Sequence, residues 1–158
     1  MKYLLLEEDN VEYWIETDEK GCALRQIIID NDDIQISCKS DCLAEGIISP
    51  DEFDGDIKKI SNKNFEEKWN SILLGYQEKW GIQKNKYYLG KEIVAQIKYF
   101  YPQGIILQID ENTQGICKYD ECKKYIGDLS LYPGYIIKGN IVGYDDTNMW
   151  LIISDFIN

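Results

Sequence analysis

GKEIVAQIKYFYPQGIILQIDENTQGICKY, residues 90–119, decides how this chain is read. Apolar and polar side chains alternate along it in the two-residue period of a half-buried strand, and the alternation is cut at Pro102-Gln103-Gly104 and at Asp110-Glu111-Asn112. The pattern predicts strands over Ile93 to Phe100, Gly104 to Ile109 and Gly115 to Cys117. Downstream, Ile136 to Tyr144 and Trp150 to Ser154 repeat the character, with Asp145-Asp146-Thr147-Asn148 as turn chemistry between them. Five strands in so short a span suit a small Greek-key barrel. Gly90, Gly104, Gly115 and Gly134 fall where strands begin or a barrel must bend, positions that favour a residue without Cβ. Asp120 is a candidate cap for a short helical turn over residues 121–125.

Working back toward the N-terminus, the period changes twice. Phe65, Trp69, Ile72, Leu73 and Tyr76 share one helical face. Ser61 stands ready to accept from the first free N–H groups, Glu66 and Glu67 suit the positive end, and Gly81 lies past the far end, so a helix is predicted from about residue 62 to 79. Before it, Tyr3 to Leu6, Val11 to Glu16, Ala23 to Asp30 and Ile34 to Cys38 are apolar segments separated by acidic turns. The fold class expected is therefore α+β, mostly β. Residues 1–86 are expected to form a meander of about four strands with one amphipathic helix over its apolar face, and residues 87–158 the barrel. Lys84-Asn85-Lys86 is the expected seam.

The second half resembles the S1 domain, an RNA-binding OB-fold module of translation and RNA-processing proteins. Gly90 and Gly104 stand fourteen positions apart with Ile93, Ile97 and Phe100 between them, as in the family's opening strands. Gly115-Ile116-Cys117-Lys118-Tyr119-Asp120-Glu121 sits where the family has Gly-Leu-Val-His-Ile-Ser-Glu. Residues 134–145 follow the closing Gly-Asp-x-Val pattern that ends in Asp145, and Ile153-Ser154 resembles the terminal Leu-Ser. The resemblance covers some 65 residues and implies single-stranded RNA bound on two adjacent strands by stacking and basic side chains. The positions that map onto or beside those strands are Lys98, Tyr99, Tyr101, Ile106, Lys118, Tyr119, Lys138 and Asp145. Departures from the pattern are Gln103 and Ile106 where aromatics are usual, Lys118 for the histidine, and Asp155 where the family continues with a basic residue. Ile106 is expected to give apolar contact in place of stacking.

Composition limits the chemistry. There is no histidine in 158 residues, which removes histidine triads, Cys/His dyads and histidine metal ligation. No motif organises the carboxylates into an acid/base pair, and no glycine loop cradles phosphate, so a non-catalytic protein without cofactor is expected. The five cysteines, at 22, 38, 42, 117 and 122, lack zinc-knuckle spacing and read as buried thiols; no metal is expected. The acidic runs Asp30 to Asp33 and Asp51 to Asp56 lack EF-hand ligand order and read as solvated turns, with Phe53 as a short contact element. No signal peptide or membrane span is legible, which points to a cytoplasmic, bacterial-type protein. Residues 87–158 hold 6 Lys, no Arg and 9 acids, while residues 1–86 hold 11 basic and 19 acidic side chains, so both halves repel phosphate. That charge supports a second expectation, of an immunity- or inhibitor-type protein whose acidic surface meets a basic protein partner.

Overall fold

The structure is a computed structural model that describes residues 1–52 and 55–157; Phe53 and Asp54 lie outside it. The chain is mostly β and divides into two compact units, residues 1–76 and 77–158. Their boundary falls ten residues before the expected seam, because Lys84-Asn85-Lys86 is the last turn of a helix that belongs with the barrel.

In the first unit, β1 (Lys2–Glu8), β2 (Val11–Thr17), β3 (Ala23–Asp30), β4 (Asp33–Ile36) and β5 (Asp56–Lys59) form one antiparallel sheet in the order β4-β3-β2-β1-β5. The meander has five strands and not four. β5 is four residues, three of them charged and only Ile57 apolar, that pair with β1 across a long excursion, a contact that local pattern does not announce. Alternation sends successive side chains to opposite faces. On one face, Tyr3, Glu16 and Arg25 stand in cross-strand register. α1 (Asn62–Leu73) lies on this face, burying Phe65, Trp69 and Leu73, with Ser61 as its N-cap. The Arg25 guanidinium stacks over the Phe65 and Trp69 rings at 4.9 and 5.0 Å and forks between the carboxylates of Glu16 and Glu66. The opposite face is also apolar: Leu4, Leu6, Ile15 and Ala23 pack against Leu43, Ala44 and Ile48 of the connecting segment. The buried Gln26 side chain accepts from the Ala44 N–H at 2.9 Å and pins that cover in place. Burial on both faces explains the unbroken runs Leu4-Leu5-Leu6 and Ile27-Ile28-Ile29.

The predicted helix over 62–79 is two helices. α1 stops at Leu73, a 3₁₀ turn spans Leu74–Tyr76, and α2 (Gln77–Lys86) follows in the second unit. Gly81, expected as the stop signal, lies inside α2, where helical geometry tolerates it at a cost of about 1 kcal/mol relative to alanine.

The second unit is a closed five-stranded barrel, consistent with an OB-fold. β6 (Glu92–Tyr101), β7 (Gly104–Asp110), β8 (Thr113–Cys117), β9 (Ile136–Asp145) and β10 (Trp150–Ser154) close in the order β10-β8-β7-β6-β9. Only the β10–β8 contact is parallel. Ile93, Ala95, Ile97, Leu107, Ile137 and Leu151 fill the interior. Gly104 has φ +154°, and a Cβ there would meet the Cys117 carbonyl oxygen; a Cβ at Gly115 would meet the Ile153 side chain and the Leu151 carbonyl oxygen. These two glycines let neighbouring strands approach where the barrel curves.

α2 is fastened to the barrel by Trp80 and by Lys84 and Lys86 of its last turn. Trp80 Nε1 donates to Asp146 at 2.7 Å and Lys84 pairs with the same carboxylate at 2.8 Å. Lys86 and the Tyr87 hydroxyl both reach Asp110, at 2.8 and 2.6 Å. α3 (Tyr119–Ile126) buries Cys122 and Ile126 and ends at Gly127, φ +65°. Its N-cap position is Lys118, with no side-chain cap; Asp120 sits inside the first turn, where its charge suits the helix dipole. No helix among the described residues is long and apolar enough to cross a membrane.

Candidate nucleic-acid interface

The outward face of β6, β7, β8 and β10 carries one continuous cross-strand row. Tyr99 pairs with Ile106, Ile106 with Ile116, and Ile116 with Ile152. A β-bulge between Ile97 and Tyr99 switches the alternation of β6, so that Tyr99 and Tyr101 follow Ile97 on the other face of the sheet. The two tyrosine rings stand 4.9 Å apart, tilted at 44°, and Tyr101 also packs near Trp150 at 6.3 Å. Both are half-buried. Ile106, expected to contact ligand directly, is completely buried and instead props the row from within.

Beside the apolar row runs a polar one that local pattern concealed. Gln96 pairs with Gln108 and Gln108 with Gln114, placing three amides side by side across β6, β7 and β8. The Gln114 amide donates to the Tyr99 hydroxyl at 3.4 Å, while its own carbonyl oxygen is buried without a donor. Each glutamine looked like an ordinary solvent-facing position in its own strand. Only pairing register brings them into line.

The remaining expected residues separate into three places. Lys118 and Asp145 line the same shallow cleft of about 420 Å³, together with Gln103, Ile116, Tyr144 and Ile152. Lys118 is well exposed and 3.2 Å from Glu121. The Asp145 carboxylate is committed to its own turn, accepting from the N–H groups of Thr147 and Asn148 at 3.0 and 3.1 Å and from the Asn148 amide at 2.7 Å. It shapes the rim of the cleft and has little capacity left for a ligand. Tyr119 is half exposed and meets Phe100 edge-on at 6.4 Å, a second aromatic pair that includes a residue counted in the sequence only as a strand landmark. Lys98 and Lys138 are exposed, Lys98 at the bulge and Lys138 opposite Val94 on β9, and neither forms an ion pair among the described residues.

The cysteines hold no ligand arrangement. Cys38, Cys117 and Cys122 are buried, all five are free thiols, and no group of three or more Cys, Asp or Glu side chains that could hold a metal occurs among the described residues. The Cys122 thiol and burial together push the Cys117 thiol well above the ordinary range, so it stays protonated and unreactive. The chain matches no family model, and no curated protein is significantly similar to it in sequence.

Proposed function

We propose that the barrel unit binds single-stranded nucleic acid, RNA in the first place, in the manner of an S1 domain and without catalysis. The observation that carries this reading is the row Tyr99, Ile106, Ile116 and Ile152 on the outer strands of a closed five-stranded barrel, flanked by Tyr101, Lys118 and the three glutamines. Tyr99 and Tyr101 supply surfaces for base stacking, worth roughly 1 to 3 kcal/mol per base. Gln96 and Gln108 each spend an amide N–H on a backbone carbonyl, of Gly134 and Asp110, and retain a second N–H and an acceptor oxygen suited to base edges. Tyr119 with Phe100 offers a second stacking place, and Lys98, Lys118 and Lys138 supply phosphate contacts.

Charge favours this unit over its neighbour. Divided at the structural boundary, residues 77–158 hold 9 basic and 10 acidic side chains, so the barrel unit is nearly neutral, while residues 1–76 hold 8 and 18. Few free lysines mean few counterions released, so affinity rests on stacking and amide contacts. The test is fluorescence anisotropy of a labelled mixed-sequence single-stranded RNA at low and moderate salt, with duplex DNA as control. Saturable binding that prefers the single strand supports the reading. No binding at high micromolar protein and low salt overturns it.

A second reading rests on the first unit, whose excess of ten negative charges includes the exposed turns at Glu8 to Asn10 and Asp30 to Asp33. Such a surface suits capture of a basic protein, steered by charge and weakened by salt. A partner of that kind would contact carboxylates of residues 1–60 and ignore substitutions at Tyr99 and Lys118.

A further inference from the structure

Three of the eight basic side chains of the strongly acidic first unit meet at one cleft. Lys2, Lys20 and Lys59 line a hollow of about 410 Å³ together with Leu4, Thr17 and Ile48, and no carboxylate lines it among the described residues. Its volume falls within the range of small-molecule sites, roughly 300 to 1,000 Å³.

Sheet register explains why the three converge. Lys2 faces Thr17 and Leu4 faces Lys59, which puts all four on the face covered by the segment that carries Leu43, Ala44 and Ile48. The cover ends at the cleft. There Cys22 bridges to Ile47, and the Ile48 N–H donates to the Gly21 carbonyl at 2.9 Å, fixing the wall against the β2–β3 turn. The turn itself is held by Asp18, whose carboxylate accepts from the N–H groups of Lys20 and Cys22 at 2.8 and 2.9 Å. The hollow is lined by buried Leu4 and Thr17, half-buried Ile48 and Ile60, and exposed Lys2, Lys20 and Lys59.

Lys20 and Lys59 form no ion pair among the described residues, while Lys2 donates to the Glu19 carbonyl at 3.0 Å with one of its three donors and the Glu19 carboxylate pairs with the ammonium of Met1, which also lines the hollow. Lys59 lies on the edge strand β5, where a lysine also deters pairing with another sheet; Lys2, on an inner strand, and Lys20, in a turn, have no such task. Of the carboxylates beside the cleft, Glu19 is paired with the Met1 ammonium and Asp18 accepts from the N–H groups of its own turn, and repulsion from those beyond a Debye length of about 8 Å is damped at physiological salt.

We infer that this cleft binds a small oxyanion carrying an apolar group, its phosphate or carboxylate held by Lys20, Lys59 and Lys2 and its apolar part laid against Leu4, Ile48 and Ile60. The site is in the first unit and stands whether or not the barrel binds RNA.

The experiment titrates the isotopically labelled full chain with phenyl phosphate, benzoate and phenol, following amide chemical shifts. Saturable shifts at Thr17, Gly21 and Ile48 with phenyl phosphate or benzoate, and none with phenol, are expected. The tighter of the two anions distinguishes a phosphate from a carboxylate ligand. Replacing Lys20→Gln and Lys59→Gln together, both exposed and away from the core, weakens binding about tenfold or more, the loss of at least one charge-assisted hydrogen bond. No saturation by either anion up to about 10 mM, phenol binding as well as the anions, shifts confined to other residues, or full affinity in the doubly substituted chain each overturns the assignment.

Discussion

The two units solve the same problem, five short strands with sticky edges, in opposite ways. The first leaves its sheet open and covers both faces, one with α1 and one with an irregular segment, so its edges β4 and β5 stay exposed. Those edges carry Asp33, Asp56, Lys58 and Lys59, charges that discourage pairing with another chain. The second unit closes its sheet on itself and needs no edge guard. It leaves its outer strand face uncovered over Tyr99, Ile116 and Ile152 and is therefore the unit with a broad surface to offer. The lesson is that closure frees side chains for binding, while an open sheet commits them to cover and to charge.

The contrast is sharpest in how each core treats a charge. Arg25 is buried between Glu16 and Glu66 against two aromatic rings. Arg25→Ala leaves Glu16 without its cation in a dry place and should cost about 3 to 5 kcal/mol, read by denaturant unfolding and by lost amide protection in β1 to β3. Arg25→Lys keeps the charge but not the fork and should recover only part of it. In the barrel the equivalent blow is apolar: Leu107→Ala opens a cavity at a fully buried position and should cost about 2 to 5 kcal/mol, with protection lost in β6 to β8 instead. Equal loss of protection in both sheets for either variant would break the comparison.

Smaller effects test the surfaces. Tyr99→Ala should weaken RNA binding by about 1 to 3 kcal/mol, and Lys118→Ala with Tyr119→Ala at least several-fold, with barrel stability preserved by thermal denaturation. Unchanged affinity in both would move the site elsewhere. The slope of log affinity against log salt should be no steeper than about −2, because each phosphate contact to a single strand contributes about −0.7 and phosphate contacts are proposed for three lysines only. A much steeper slope would mean that the phosphate backbone, not the bases, is what is held.

The smallest expected effect is at low pH. Hydrogen bonds from Lys84 and Trp80 hold the Asp146 carboxyl below the usual range; at Asp110, burial opposes ionisation, but hydrogen bonds led by Lys86 and Tyr87 outweigh it and lower it further. Because both are depressed in the folded protein, their support for α2 is complete above the ordinary carboxylate value near 4 and fades as pH falls below it. Trp80 emission should therefore change between about pH 4 and 2. The same change in a chain carrying Asp146→Asn would assign the transition to other groups.

Much of this was legible in the residues alone. Every barrel strand falls within two residues of its expected span, because each is a local alternation bounded by glycine or acidic turns. The start and the apolar face of α1 were equally plain, since Ser61 and the spacing of Phe65, Trp69 and Leu73 are contained in a dozen residues, but its end at Leu73, six residues short of the expected one, was not. What stayed hidden depends on partners distant in the chain. β5 is a strand only because β1 lies beside it, and α2 belongs with the barrel only because Asp110 and Asp146 receive its side chains. The candidate interface divides in the same way. Tyr99 and Lys118 were reachable from spacing, but the burial of Ile106, the engagement of Asp145 in its own turn and the alignment of Gln96, Gln108 and Gln114 are matters of register between strands. The sequence by itself determined the periods, the turns, the missing imidazole and the charge, because these are local or additive properties. Tertiary structure decided which faces are shared and which side chains are spent on the fold, because closing a sheet is a long-range event that no single segment encodes.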